Sequence, residues 1–338
     1  MSYKVNNTIR IKDDNNVVFK DIIATSHETF PTGGDKGTVS GYSSGGYTGS
    51  VRTTTIDKYP FSSDGNATDV GDLLALVTLG AGQSSSTNGY YSGGLTGPST
   101  VTDTIQKFPF SVDAGSSDVG NLSAQPSNGR AEVTGQSSGE HGYTSGGASG
   151  APLFDTIDKF AFAADGNATD VGNLTQARSS LSGQSSDASG YNSGGYRPAG
   201  PPNGVNTIDK FPFSSDANAT DVGNLATVCV DVAGQNSSTS GYISGGSDGT
   251  PVPDILNVIQ KFPFAADAGS SDVGDLTVGR KFIGGVSSGQ SGYTNGGFSP
   301  TPTTNYNVID KFSFSSDANA TDVGNLTQIR NGIAGQQV

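Results

Sequence analysis

Apolar side chains along this chain come in short bursts that alternate with polar ones, and no stretch repeats them at the 3.6-residue spacing of an amphipathic helix. In Ile208-Asp209-Lys210-Phe211-Pro212-Phe213 the alternation places Asp209, Phe211 and Phe213 on one side and Ile208, Lys210 and Pro212 on the other. Such a strand suits a sheet packed on both faces. Gly, Ser, Asn and Asp clusters separate the bursts, so the pattern predicts an all-β chain of short strands joined by tight turns.

The bursts belong to a repeat. Gly-Tyr-x-(Ser/Asn)-Gly-Gly begins at Gly41, Gly89, Gly142, Gly190, Gly241 and Gly292. Ile-(Asp/Gln)-Lys-(Phe/Tyr)-x-Phe begins at Ile56, Ile105, Ile157, Ile208, Ile259 and Ile309, and Asp-Val-Gly-(Asn/Asp)-Leu at Asp69, Asp118, Asp170, Asp221, Asp272 and Asp322. A strand-rich period near 50 residues predicts the blades of a β-propeller. Each blade would hold four strands from the centre outward: strand a ending in Gly-Gln, strand b with Gly-Tyr, strand c with Ile-Asp-Lys, and strand d around Asp-Val-Gly. The first strand b, at Gly41, has no strand a before it, whereas the last segment, Arg330-Asn331-Gly332-Ile333-Ala334-Gly335-Gln336, is a strand a with no strand b after it. Pairing these orphans gives six complete blades and a closed ring without open sheet ends. The expected organisation is an extension over residues 1–35 and a six-bladed propeller over 36–338.

Composition narrows the function. The 32% hydrophobic fraction is low, but with 50 glycines of 338 added it becomes that of an ordinary folded chain. Lys+Arg 18 against Asp+Glu 31 gives 18 − 31 = −13, a field that disfavours nucleic acid and anionic lipid as partners. One cysteine, Cys229, and two histidines, His27 and His141, cannot build a disulfide or a multi-histidine metal centre within one chain, and no cofactor is expected. Cys229 reads as a small core residue. Neither a secretory leader nor an apolar run long enough to insert in a membrane is legible.

Between strands c and d runs Asp-x-(Asn/Gly)-x-(Thr/Ser)-Asp, whose third position is Asn66, Gly115, Asn167, Asn218, Gly269 or Asn319. Residues that tolerate positive φ suggest a left-handed turn there, with the leading Asp bonding its own backbone. A calcium loop of EF-hand type would need further ligands and a closing Glu that the sequence lacks. The recurrent lysine of strand c, as at Lys210, is expected to pair with a nearby blade carboxylate. The arginines before strand a, Arg130, Arg178, Arg280 and Arg330, are expected to hold loop carbonyls or carboxylates.

A hydrophobic residue and Gly-Gly, an aromatic in the next strand and Arg after strand d together resemble a degenerate kelch repeat of the galactose-oxidase-like propellers over residues 36–338. Kelch units carry a Trp where this chain has Val70, Val119, Val171, Val222, Val273 and Val323. Copper oxidation of the galactose-oxidase kind needs paired His and a Cys–Tyr crosslink, which these residues do not supply. The turn, with the preceding Ser62-Ser63, is also similar to the Asp box of sialidase-type propellers. In that family the box is a structural turn, so the likeness supports the propeller more than any activity. A sialidase-like glycan hydrolase is one alternative, because the arginines cluster on the face opposite these turns, though only Glu28, Glu132 and Glu140 are available as Glu.

Scaffold positions recur in a repeat protein, so function is sought where the copies disagree. They disagree between strands b and c, over Tyr47–Thr55, Leu95–Thr104, Ala148–Thr156, Tyr196–Thr207, Ser247–Val258 and Phe298–Val308. Tyr47, Phe154, Tyr196, Arg197, Phe298 and Tyr306 are the candidate binding residues, because aromatic rings and Arg provide contact area and directed hydrogen bonds. Thr8–Lys12 and Val17–Lys20 read as a hairpin outside the repeat. With Met1–Thr8 it is similar to the opening of tail-fibre and related virion proteins of phages infecting marine bacteria, cyanophages among them. The resemblance implies a structural virion protein, without enzymatic activity, that docks on other tail or fibre proteins through residues 1–30. Assembled in the host cytoplasm, it would present the propeller to a host-surface glycan or protein. A kelch-type intracellular scaffold is the other alternative.

Overall fold

The structure is a computed structural model that describes residues 37–123, 129–198, 203–250 and 254–338. The predicted N-terminal hairpin lies outside the described residues. Within them the chain forms six four-stranded antiparallel sheets and no helix. Blade 4 shows the pattern, with strands a to d at Ser182–Ser185, Ser189–Ser193, Thr207–Pro212 and Thr220–Asn224. The six a strands contact one another in a closed circle about the axis.

Ring closure is as expected. Strand a of blade 1 is the C-terminal Ala334–Gln337, which pairs with strand b at Ser40–Ser44 in register Tyr42↔Gln336. Strand d of blade 1, Thr68–Val77, is longer than its five-residue counterparts. Blade 6 adds a small hairpin, Phe298–Pro300 with Thr303–Asn305, in its b–c loop.

Each repeated phrase has a packing reason. Gly190 leaves room for the Phe211 ring of its own blade, which would lie 2.3 Å from a Cβ there. Next to it, Tyr191 stacks on Phe264 of blade 5 at 4.8 Å, and equivalent pairs recur around the ring, such as Tyr143 on Phe213. Gly194 and Gly195 turn the chain out of strand b at φ 66° and 108°, a region open to glycine. Ile208 and Asp209 are both fully buried because blades cover both faces of strand c. The cores accordingly lie between blades: Tyr191, Ile208 and Leu225 of blade 4 pack with Val232, Ile243 and Phe262 of blade 5.

Polar contacts repeat as strictly. The strand c lysine reaches the leading turn Asp of the next blade, as in Lys58–Asp113, Lys210–Asp267, Lys261–Asp317 and Lys311–Asp64 at 2.9–3.0 Å. Lys107–Asp165 and Lys159–Asp216 complete the belt. That pairing corrects the expected turn. The leading Asp serves a neighbouring lysine, and the trailing Asp makes the local bond, Asp221 Oδ1 accepting from Gly223 N–H. None of Asn66, Gly115, Asn167, Asn218, Gly269 and Asn319 adopts positive φ. The Asn side chains instead reach across blades, Asn167 Oδ1 accepting from Asn121 N–H and Asn66 Oδ1 from Asn325 N–H. Where the position is Gly, the following serine substitutes, Ser116 Oγ accepting from Leu74 N–H and Ser270 Oγ from Ala226 N–H.

Candidate functional site at the axial mouth

The connection from strand d to strand a descends to the axis through a residue with left-handed backbone. These residues are Leu79, Glu132, Ser180, Asp231, Phe282 and Gly332, with φ between 55° and 62°. Five of the six are not glycine, and left-handed backbone costs such residues on the order of 1–3 kcal/mol each. A closed circle of hydrogen bonds offsets the strain. Glu132 N–H donates to Leu79 C=O, Ser180 to Glu132, Asp231 to Ser180, Phe282 to Asp231, Gly332 to Phe282, and Leu79 to Gly332, at 2.6–2.9 Å.

Backbone geometry is therefore the same six times while the residues are six different ones, five with side chains and one glycine. They border a depression of about 70 Å³ together with Val133, Leu181, Val232, Ile283 and Ile333, which also line the next cavity along the axis. Two acids meet it under different conditions. Glu132 Oε2 accepts from Ser179 Oγ at 2.7 Å and Ser180 Oγ at 3.2 Å. Asp231 pairs with Lys281 at 3.4 Å, and its side chain keeps only 9% of its exposure. Burial pushes the Asp231 carboxyl up to about 6; Lys281 opposes that rise and Glu132 adds to it. Lys281 also lies over the Phe282 ring at 4.9 Å.

One residue before the left-handed position, each connection bridges to the start of a b–c loop. Asn331 bridges Tyr47, Ser179 bridges Tyr196, and Lys281 bridges Phe298. Three of the predicted binding residues thus share one tier around the mouth. Tyr196 is half-buried, and its neighbour Arg197 is exposed, donating to Gln176 Oε1 at 3.2 Å. The other two sit at loop bases. Phe154 is buried, and its backbone is bonded to Gly147 and Arg178; Tyr306 is bonded likewise to Gly297 and Arg330. Phe154 therefore supports its loop and offers no surface.

The four arginines are fully buried. Arg178 Nη2 donates to Asn192 C=O and to Asp209 Oδ2, and Arg330 reaches Ser43 C=O and Asp57 Oδ2. Their expected role as internal holders is what the geometry gives. Cys229 occupies the Arg position of blade 5, fully buried, and burial pushes its thiol up to about 12. Among the described residues no group of three or more His, Cys, Asp or Glu side chains is placed to hold a metal ion.

The inner ring was missed by looking for disagreement only between strands b and c. Its signal is present in the sequence: two residues after the Arg position, the six copies read Leu, Glu, Ser, Asp, Phe and Gly. No family model matches this chain, and no curated protein matches it.

Proposed function

We propose that this protein is a non-enzymatic recognition module, a phage tail-fibre or tail-associated adhesin whose propeller binds a host-surface glycan at the axial mouth. One observation carries the reading: at the mouth six positions of matching left-handed backbone carry six different residues, and the b–c loops that vary in the same way border it. Glu132 and Asp231 supply acceptors for sugar hydroxyls, while Phe282, Tyr196 and Phe298 supply faces on which a sugar ring can rest. Chain direction favours display. Gly37 enters the propeller by bonding Ser287 C=O, at the end of strand a opposite the b–c loops.

Docking of residues 1–30 on a tail or fibre, and a kelch-like ancestry for the blades, belong to the same proposal. Both rest on the sequence resemblances and on the fold. The hydrolase alternative is weakened because Arg130, Arg178, Arg280 and Arg330 are sealed inside blades and face no ligand. Purified protein screened on a glycan array, followed by calorimetry on any hit, tests the reading. Glu132→Gln and Tyr196→Ala are expected to lower affinity about tenfold or more, each removing about 1.4 kcal/mol. Binding that survives both changes would place recognition elsewhere. For docking, deletion of residues 1–30 should leave a soluble propeller absent from purified particles.

A further inference from the structure

The axis has a second end, lined by the last residue of each strand a: Ser84, Ser137, Ser185, Asn236, Ser287 and Gln337. Here the backbone N–H of each blade donates to the side-chain oxygen of the next. Ser84 N–H reaches Ser137 Oγ at 3.0 Å, Ser137 reaches Ser185 at 3.0 Å, and Ser185 reaches Asn236 Oδ1 at 3.4 Å. Asn236 reaches Ser287 Oγ at 2.9 Å, Ser287 reaches Gln337 Oε1 at 3.2 Å, and Gln337 reaches Ser84 Oγ at 2.9 Å. Each oxygen spends one lone pair on this circle, which leaves Asn236 Nδ2 and the serine hydroxyl hydrogens as donors. Its direction also fixes the Asn236 carboxamide, since a flipped amide would set Nδ2 against the Ser185 N–H.

These six side chains surround a cavity of about 50 Å³ on the axis, bordered otherwise by glycine backbone and by Gln83 and Gln136, with no charged residue in its lining. Asn236 is 8% exposed, and its Nδ2 is buried without a hydrogen-bond partner. A buried amide donor left unmatched costs about 1–3 kcal/mol, a cost that an acceptor bound in the cavity would remove. The volume exceeds the ~10–15 Å³ that one water needs, and the neutral lining exerts no ion-pair repulsion on a negative guest.

We propose that this axial cavity, at the end opposite the mouth, binds a small monovalent anion of the halide class. Asn236 Nδ2 and the hydroxyls of Ser84, Ser137, Ser185 and Ser287 donate to it. The inference does not depend on recognition at the mouth. Its test is diffraction from crystals of the full chain soaked in bromide and measured at the bromine edge. An anomalous peak on the axis within hydrogen-bond distance of Asn236 Nδ2 is expected, and ordinary water density without an anomalous signal there overturns the proposal.

In solution, thermal unfolding is compared in sodium bromide and in sodium gluconate at equal ionic strength. Bromide should raise the midpoint in the unmodified protein. Asn236→Asp keeps the acceptor for Ser185 N–H while replacing the donor with a negative charge, and it should abolish the bromide-specific rise. An equal rise in that variant would assign the effect to another site. Should the variant fail to fold, the bromide peak in the unmodified protein decides alone.

Discussion

At the residue scale, the axis is built on absence of side chains. A Cβ at Gly183 would stand 2.2 Å from Gly135 C=O, and the same collision with the preceding strand recurs at Gly82, Gly135, Gly234, Gly285 and Gly335. Gly183→Ala should therefore destabilise the protein by about 1–3 kcal/mol in urea unfolding, as overpacking does. Gly166→Ala, whose Cβ meets nothing within 4 Å, should stay within about 0.5 kcal/mol. Asp231 gives a pH signature. Its native carboxyl, at about 6, holds the proton to higher pH than the unfolded chain, near 3.8. Between those values the native state binds more protons, so the contribution of this group falls as pH rises from about 4 to 6. Asp231→Asn should flatten that decline, by about 1–3 kcal/mol across the window, in unfolding curves taken at pH 4 and pH 7.

At the element scale, blades come in two polar varieties. Asp57, Asp158, Asp209 and Asp310 of strand c pair with Arg330, Arg130, Arg178 and Arg280, all at zero side-chain exposure. In blades 2 and 5 the acid is Gln106 or Gln260, the arginine is Val77 or Cys229, and a serine bonds the glutamine, Ser116 or Ser270 at 2.9 Å. The substitution is concerted because a buried carboxylate without its guanidinium is left uncompensated. Arg178→Val should accordingly cost about 3–5 kcal/mol, whereas adding Asp209→Gln should recover a large part of the loss. Equal losses in the single and double variants, measured by urea unfolding, would deny the coupling. Blade 6 shows the same logic. Val286 replaces the usual Gln, and Asn295 donates instead across the seam to Ser43 Oγ and to Tyr59 Oη, in the one blade interface where strand c carries Tyr in place of Phe.

At the scale of the whole molecule, closure makes the blades interdependent. The seam between Ala334–Gln337 and Ser40–Ser44 joins opposite ends of the propeller, and Lys311–Asp64 and Asn66–Asn325 carry the outer contacts across it. Removing residues 334–338 deletes the innermost strand of blade 1 and exposes the edge of strand b. The truncated chain should lose its cooperative transition and self-associate, seen by tyrosine circular dichroism and size-exclusion chromatography. A monomer with unchanged thermal unfolding would show that the seam is dispensable. The exposed lysine belt is a lesser contributor, since partly solvated pairs such as Lys210–Asp267 are worth about 1 kcal/mol or less.

Repetition made blade number, strand order and ring closure legible in the sequence, because every blade must solve the same packing problem against the same neighbours. Tyr47, Tyr196 and Phe298 were legible as candidates for the complementary reason, that they break the repeat. The turn at Asn66 and its equivalents was misread, because a local propensity for positive φ gave way to a bond with the adjacent blade. Only the tertiary structure could place Leu79, Glu132, Ser180, Asp231, Phe282 and Gly332 in one circle. Five of them occupy a conformation that their residue types do not announce, held there by bonds to residues about 50 positions away or across the seam.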